Sequence, residues 1–186
     1  MLLVGWGLAR VGAAWHQPQS FRKHMKPVKL SDLMEALEFD MPDHLSRVDV
    51  QEGRVVLVER SVLNAAEEGD EELLRRLPEW QKAEADIARA IAEDPGDRFV
   101  DAPDRFEFHE YHQMERFIRA VDDDEAAEQL WRAIKGKGAF RYFKDTAHRL
   151  GLLDDWFRYR ANAMKEFVIA WAERNHVPFE DDVRNE

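Results

Sequence analysis

Between Arg132 and Arg149 lies the one stretch of this chain whose residue types and spacing could hold an anion. At its centre stands Gly136-Lys137-Gly138-Ala139-Phe140-Arg141-Tyr142-Phe143-Lys144. A helix starting near Ala139 would leave the amides of Gly138, Ala139 and Phe140 without intrahelical acceptors. No Ser, Thr, Asp or Asn stands where it could cap them. Gly136 and Gly138 let the backbone approach an anion closely, and a helix start favours negative charge. Arg141, Lys144 and His148 follow at i, i+3 and i+7 and are expected to share an exposed face with Lys137, opposite Phe140, Phe143 and Ala147. The candidate anion-binding residues are therefore Gly136, Lys137, Gly138, Arg141, Lys144 and His148, and the ligand would be a phosphate or a partner's carboxylate. A plainer account uses the same residues. Gly136 ends one helix, Gly138 begins the next, and the cations pair with the acidic remainder of the chain. It is no phosphate loop of the Walker kind, because no strand precedes it and the spacing differs.

Other chemistry is weaker. His109-Glu110-Tyr111-His112 places two histidines at i and i+3, but a third is missing and the His-Glu-x-x-His zinc pattern is not met, so a solvated helix face is expected. The acidic runs Glu67–Glu72 and Asp122–Glu125 lack the alternating ligands and central Gly of a calcium loop. Without cysteine there is no disulfide, thiolate metal site or thiol nucleophile. The serines Ser20, Ser31, Ser46 and Ser61 stand in no nucleophile-elbow setting. No metal and no cofactor is expected.

The elements that must position these residues are mostly helices. Ser31-Asp32 stands before an apolar stripe of Leu33, Met34, Ala36 and Leu37. Val48 and Val50, then Val55 to Val58, flank Gln51-Glu52-Gly53 and predict a β-hairpin. Residues 61–72 read as a loop or a loose turn of helix, Trp80, Ala83, Ile87 and Ile91 as a helix face, and 98–101 as a third short strand. Asp104 and the Asp122–Asp124 run are placed to cap helices. The last helix presents Trp156, Phe157, Met164, Phe167, Val168 and Trp171 as a wide core-facing stripe. The expected class is α+β, mostly helical, with a small antiparallel β-hairpin or sheet covered by helices.

A length of 186 residues and an apolar fraction of 45% allow one sizeable core. Residues 1–24, basic and without sustained period, are expected to be a disordered leader outside the native fold, with Met25 the natural start. Residues 25–178 form the expected single globular domain, and 179–186 an acidic frayed tail. Net charge is −11 for the whole chain and −14 from residue 25 onwards, a field that disfavours nucleic acid and anionic membrane. Within that field the window from Arg132 to Arg149 carries six basic residues and one acid. No apolar run approaches the ~18–20 residues of a membrane span, and a cytoplasmic setting is the expectation.

From Leu130 through Asp145 the chain resembles a bacterial family, number 158 in the series of uncharacterised protein families. The Gly-x-Gly-Ala-Phe-Arg-x-Phe-Lys block carries the likeness. It extends to Met25–Leu37, the hairpin, the Tyr111–Phe117 helix and the Trp156 segment, covering about residues 26–175. The resemblance implies no activity, cofactor or catalytic residue. The functional expectation is a non-enzymatic binding protein whose basic helix start engages an anionic ligand or acidic partner. Two alternatives use the same patch. One is an enzyme on a phosphorylated or nucleotide substrate, with His148 as proton shuttle. The other is RNA binding, with Tyr142 as stacking platform and Arg158 and Arg160 extending the patch. Monomer and dimer both remain open.

Overall fold

A computed structural model of the chain describes residues 25–39 and 41–184. The expected leader, residues 1–24, lies outside the described residues. Strand β1 (Val28–Lys29) runs directly into α1 (Leu30–Glu38), whose Leu30, Leu33 and Leu37 are buried. Ser31 and Asp32 fall inside the first turn, and Lys29 occupies the cap position without a side-chain hydrogen bond.

The predicted hairpin forms from β2 (His44–Asp49) and β3 (Arg54–Glu59), antiparallel, with Val48 opposite Val55 and His44 opposite Glu59. Gly53 supplies the left-handed turn residue at φ +66°. Asp49 closes the turn: its Oδ1 accepts the amides of Gln51 and Glu52 at 3.1 and 3.2 Å. The same carboxylate, 1% exposed, accepts Nε and Nη2 of Arg98 at 3.0 and 2.6 Å. Burial by itself would push the Asp49 carboxyl up. The Arg98 bonds and charge, with the two amides, outweigh it and hold the group below the ordinary carboxylate range.

Residues 61–72, read from sequence as a loop or a loose turn of helix, form two regular helices, α2 (Arg60–Glu68) and the start of α3 (Glu71–Arg76). Val62, Leu63, Ala65 and Leu74 are buried there, so an apolar face overrides the acidic, Gly-punctuated composition. A single 3-10 turn (Glu79–Gln81) leads into α4 (Lys82–Ala92), which buries Ala85 and Ala88 while Trp80 stays 77% exposed. The third strand, β4 (Phe99–Asp101), pairs antiparallel with β2 and completes the order β3-β2-β4.

The helical half follows as α5 (Arg105–Phe108), α6 (Glu110–Arg119), α7 (Asp124–Ala133), α8 (Ala139–Arg149) and α9 (Leu153–Arg174). Strand β5 (Phe179–Glu180) then pairs parallel with β1. This strand takes the first two residues of the expected frayed tail. The Ser31 amide and hydroxyl donate to the Asp182 carboxylate at 3.0 and 2.7 Å, which supplies the missing acceptor at the start of α1. Lys165 holds Asp181 and the Val183 carbonyl, each at 2.8 Å.

The protein is thus α+β and mostly helical, with a small antiparallel sheet packed on both faces. Val48 and Val50 pack with α1 and the second half of α9, through Met164, Val168 and Trp171. Val58 packs against α2, α3 and α4 through Val62, Leu63, Leu74, Ala85 and Ala88. A third cluster joins α6, α7 and α8 to Trp156 near the start of α9. At 22 residues, α9 spans about 33 Å and so reaches two of the three clusters. Phe157, expected in the core stripe, is 47% exposed. No helix among the described residues is long and apolar enough to cross a membrane.

Candidate functional site

Asp123 caps α7 by accepting the amides of Glu125 and Ala126 at 2.9 and 3.1 Å. After α7 the backbone turns left-handed twice, at Gly136 (φ +85°) and Gly138 (φ +87°). Gly138 starts α8 as expected: no side chain caps the helix, and the Gly138 carbonyl accepts the amides of Arg141 and Tyr142 at 3.0 and 3.1 Å. A Cβ on Gly138 would stand 3.1 Å from the Tyr142 ring, which lies across that face of the turn. Lys137, Arg141, Lys144 and His148 are exposed. Arg141, 85% exposed, comes only within 3.7 Å of Asp145, a loose surface pair of little energetic weight. Among the described residues Lys137, Lys144 and His148 form no ion pair.

One member of this set enters a concave site. Lys144, together with Phe140, lines a cleft of about 520 Å³ whose other walls come from α1, α5, α6 and α9. Phe140 and Lys144 are four apart and lie on the same side of α8. The expected placement of Phe140 opposite the cations is therefore corrected; Ala139, Phe143 and Ala147 form the buried face, and Phe140 is 47% exposed. Gly136, Lys137, Gly138, Arg141 and His148 do not line the cleft.

The far wall is built by an ion-pair bridge. Arg160 of α9 donates Nη1 to Glu38 at 2.6 Å and Nε to Glu110 at 2.8 Å, tying α1 and α6 to α9. Burial pulls the Arg160 guanidinium down, but these bonds and the Glu110 charge outweigh it and hold it above its ordinary value. Both carboxylates of that wall are thus engaged, whereas Lys144 has no carboxylate partner among the described residues. His109 bridges α5 and α6 in a left-handed conformation (φ +49°), uncommon for a residue with a Cβ. The fold thereby turns His109 and His112 into the cleft with ring centroids 5.2 Å apart. The Tyr111 hydroxyl donates to the Ile134 carbonyl at 3.2 Å and fastens this wall to the end of α7. Phe106 (74% exposed), Phe140 and Tyr111 present aromatic surface to the opening. A second, larger cleft of about 1100 Å³ adjoins it, sharing Leu37, Arg105 and Phe106.

From sequence, Lys144 and the two histidines were named and Arg160 was given only as an extension of an RNA patch; the Glu38–Arg160–Glu110 bridge, Arg105 and the aromatic rim were missed. The i, i+4 spacing of Phe140 and Lys144 was the readable signal. A separate titratable group lies at the open end of the hairpin, where atoms of His44, Glu59 and Glu84 come within 4.8 Å of one another.

The family model described as "Uncharacterised protein family (UPF0158)" matches residues 25–184, and the chain belongs to that family. It is similar to UPF0158 protein PA5073 of Pseudomonas aeruginosa, with 31% identity over 65 residues. That match covers 34% of this chain and 42% of the relative, less than half the length of either. No solved structure matches the chain.

Proposed function

We propose that this chain is a non-enzymatic binding protein that holds an anionic ligand, or an acidic segment of a partner, in the cleft between α1, α5, α6, α8 and α9. The observation that carries this reading is Lys144. It lines the cleft beside Phe140 with no carboxylate partner among the described residues, in a chain with a net charge of −11. Glu38 and Glu110, the carboxylates of the lining, are already bridged by Arg160, so they do not oppose an incoming anion at full strength. The aromatic rim offers a flat group on the ligand a surface to stack on. The helix start at Gly138 is a flanking contributor rather than the centre.

The pair His109 and His112 favours a second reading, an enzyme on a phosphorylated or nucleotide substrate, because imidazoles lining the cleft can serve as general acid or base. His148 has no such position. RNA binding gains no support: Arg158 is paired with Asp155 at 3.1 Å and Arg160 is engaged by Glu38 and Glu110.

Amide NMR with inorganic phosphate and with adenosine monophosphate tests the proposal. Shifts concentrated at His109–His112, Phe140 and Lys144, and lost in Lys144→Ala, are expected. Shifts spread evenly over all basic surface residues would reduce it to counterion condensation. Turnover of the nucleotide, lost in His109→Ala or His112→Ala, would replace it with the enzyme reading.

A further inference from the structure

The open end of the hairpin holds a set of ligand atoms that the anion cleft does not use. His44 and Glu59 stand opposite each other in the β2–β3 register, and α4 brings Glu84 to them by accepting the Glu59 backbone N–H on Oε1. One ring nitrogen of His44 and one carboxylate oxygen from each glutamate all lie within 4.8 Å of one another. Ligands held about 2.0–2.2 Å from one ion stand roughly 3–4 Å apart, so slight inward rotation of three side chains would close the set around a metal.

A second observation is independent of that clustering. Nδ1 of His44 is buried away from solvent and has no hydrogen-bond partner among the described residues. Native structures rarely leave such an atom unsatisfied, because the lost hydration is not replaced. The carboxylates, by contrast, are oriented. Glu59 accepts from the Ser61 hydroxyl and from Nε2 of Gln81 on its two oxygens, and Glu84 is anchored by the Glu59 amide. Outer partners of this kind hold metal-ligating carboxylates in place.

We propose that His44, Glu59 and Glu84 bind a divalent transition-metal ion of the Mn²⁺-to-Zn²⁺ series, fastening the open end of the hairpin to α4. A neutral imidazole and two carboxylates supply a charge of −2. Their mixed nitrogen and oxygen donors suit these ions, whereas calcium takes oxygen alone. His44, alone of the three, also lines the cleft of about 1100 Å³. The site is independent of the anion cleft and stands or falls separately.

The test uses the full chain stripped with a chelator and titrated with Co²⁺ by visible absorption and with Zn²⁺ by calorimetry. One equivalent should bind saturably, and Zn²⁺ should raise the thermal midpoint. His44→Gln and Glu84→Gln should each weaken binding more than ~100-fold, since loss of a ligand exceeds the loss known for outer partners. His44→Gln surrenders no Nδ1 hydrogen bond, and Glu84→Gln keeps an oxygen to accept the Glu59 amide. Circular dichroism of both should therefore match the parent. Equal affinity in all three chains, or no stoichiometric binding by the parent, overturns the proposal. Should either variant unfold, the His44 ring NMR signals of the parent decide: a Zn²⁺-dependent shift supports the site, and unmoved signals overturn it.

Discussion

Replacing Gly53 with alanine should destabilise the protein by more than its backbone conformation alone explains. An L-residue held at φ +66° costs about 1–2 kcal/mol. The added Cβ would also stand 2.6 Å from the Pro27 carbonyl oxygen and 2.9 Å from Cβ of Lys26. The first of these atoms is backbone and cannot swing aside. The Lys26 amide donates to the Val50 carbonyl at 2.9 Å and the Val28 amide to the Pro178 carbonyl at 3.0 Å, which pins the segment between the hairpin turn and the residue leading into β5. Relief requires moving that segment, at a further ~1–3 kcal/mol by analogy with overpacked cores. The total is about 2–5 kcal/mol. Gly69 provides the comparison, with φ +72° and nothing within 4 Å of a new Cβ, so Gly69→Ala should cost only the ~1–2 kcal/mol of the left-handed backbone. Urea denaturation of the two variants, with equal m-values, reads the difference directly. Equal destabilisation would refute the claim that the N-terminal segment is seated against the turn.

Trp156 is fully buried between Phe117, Phe143 and Tyr159, yet its indole N–H has no hydrogen-bond partner. Trp156→Phe therefore sacrifices no bond and should cost at most ~2 kcal/mol, against ~3–5 for Trp156→Ala, as measured by chemical denaturation. Asp49 titrates below its unfolded value, so its stabilising contribution is complete above the unfolded carboxylate range and lost as pH falls through the depressed folded value. The thermal midpoint should consequently fall less steeply between about pH 5 and pH 2 in Asp49→Asn than in the parent. Parallel acid limbs would contradict the Asp49–Arg98 assignment.

What could be read beforehand follows from how local each signal is. The β-branched runs either side of Gly53, and Asp123 ahead of α7, carry their structure within a few residues, and both appear where expected. Residues 61–72 gave no more than a loop or a loose turn of helix because Gly69 and the acids around it imitate a loop, although Val62, Leu63 and Ala65 already traced a helix face. The contacts of the tail were illegible for another reason. Its two-residue strand and Asp182 find their partners about 150 residues away, at β1 and Ser31, and nothing in Phe179–Val183 announces them. The candidate site divides in the same way. Lys144 and the uncapped start at Gly138 were visible in one short block, whereas the opposing wall assembles Glu38, Glu110 and Arg160 from three separate helices. Likewise His44, Glu59 and Glu84 meet only once the hairpin register and the docking of α4 are known.

The central claim is that an anion enters the cleft at Lys144 rather than the open helix start beside Arg141. Calorimetric titration of adenosine monophosphate into the parent, Lys144→Ala and Arg141→Ala at one fixed salt concentration tests this most directly. Loss of a charge-assisted contact of at least ~1.4 kcal/mol corresponds to tenfold in affinity. Lys144→Ala should therefore bind at least about tenfold more weakly, while Arg141→Ala remains within about twofold of the parent. The opposite ranking, or equal binding by all three chains, would contradict the account.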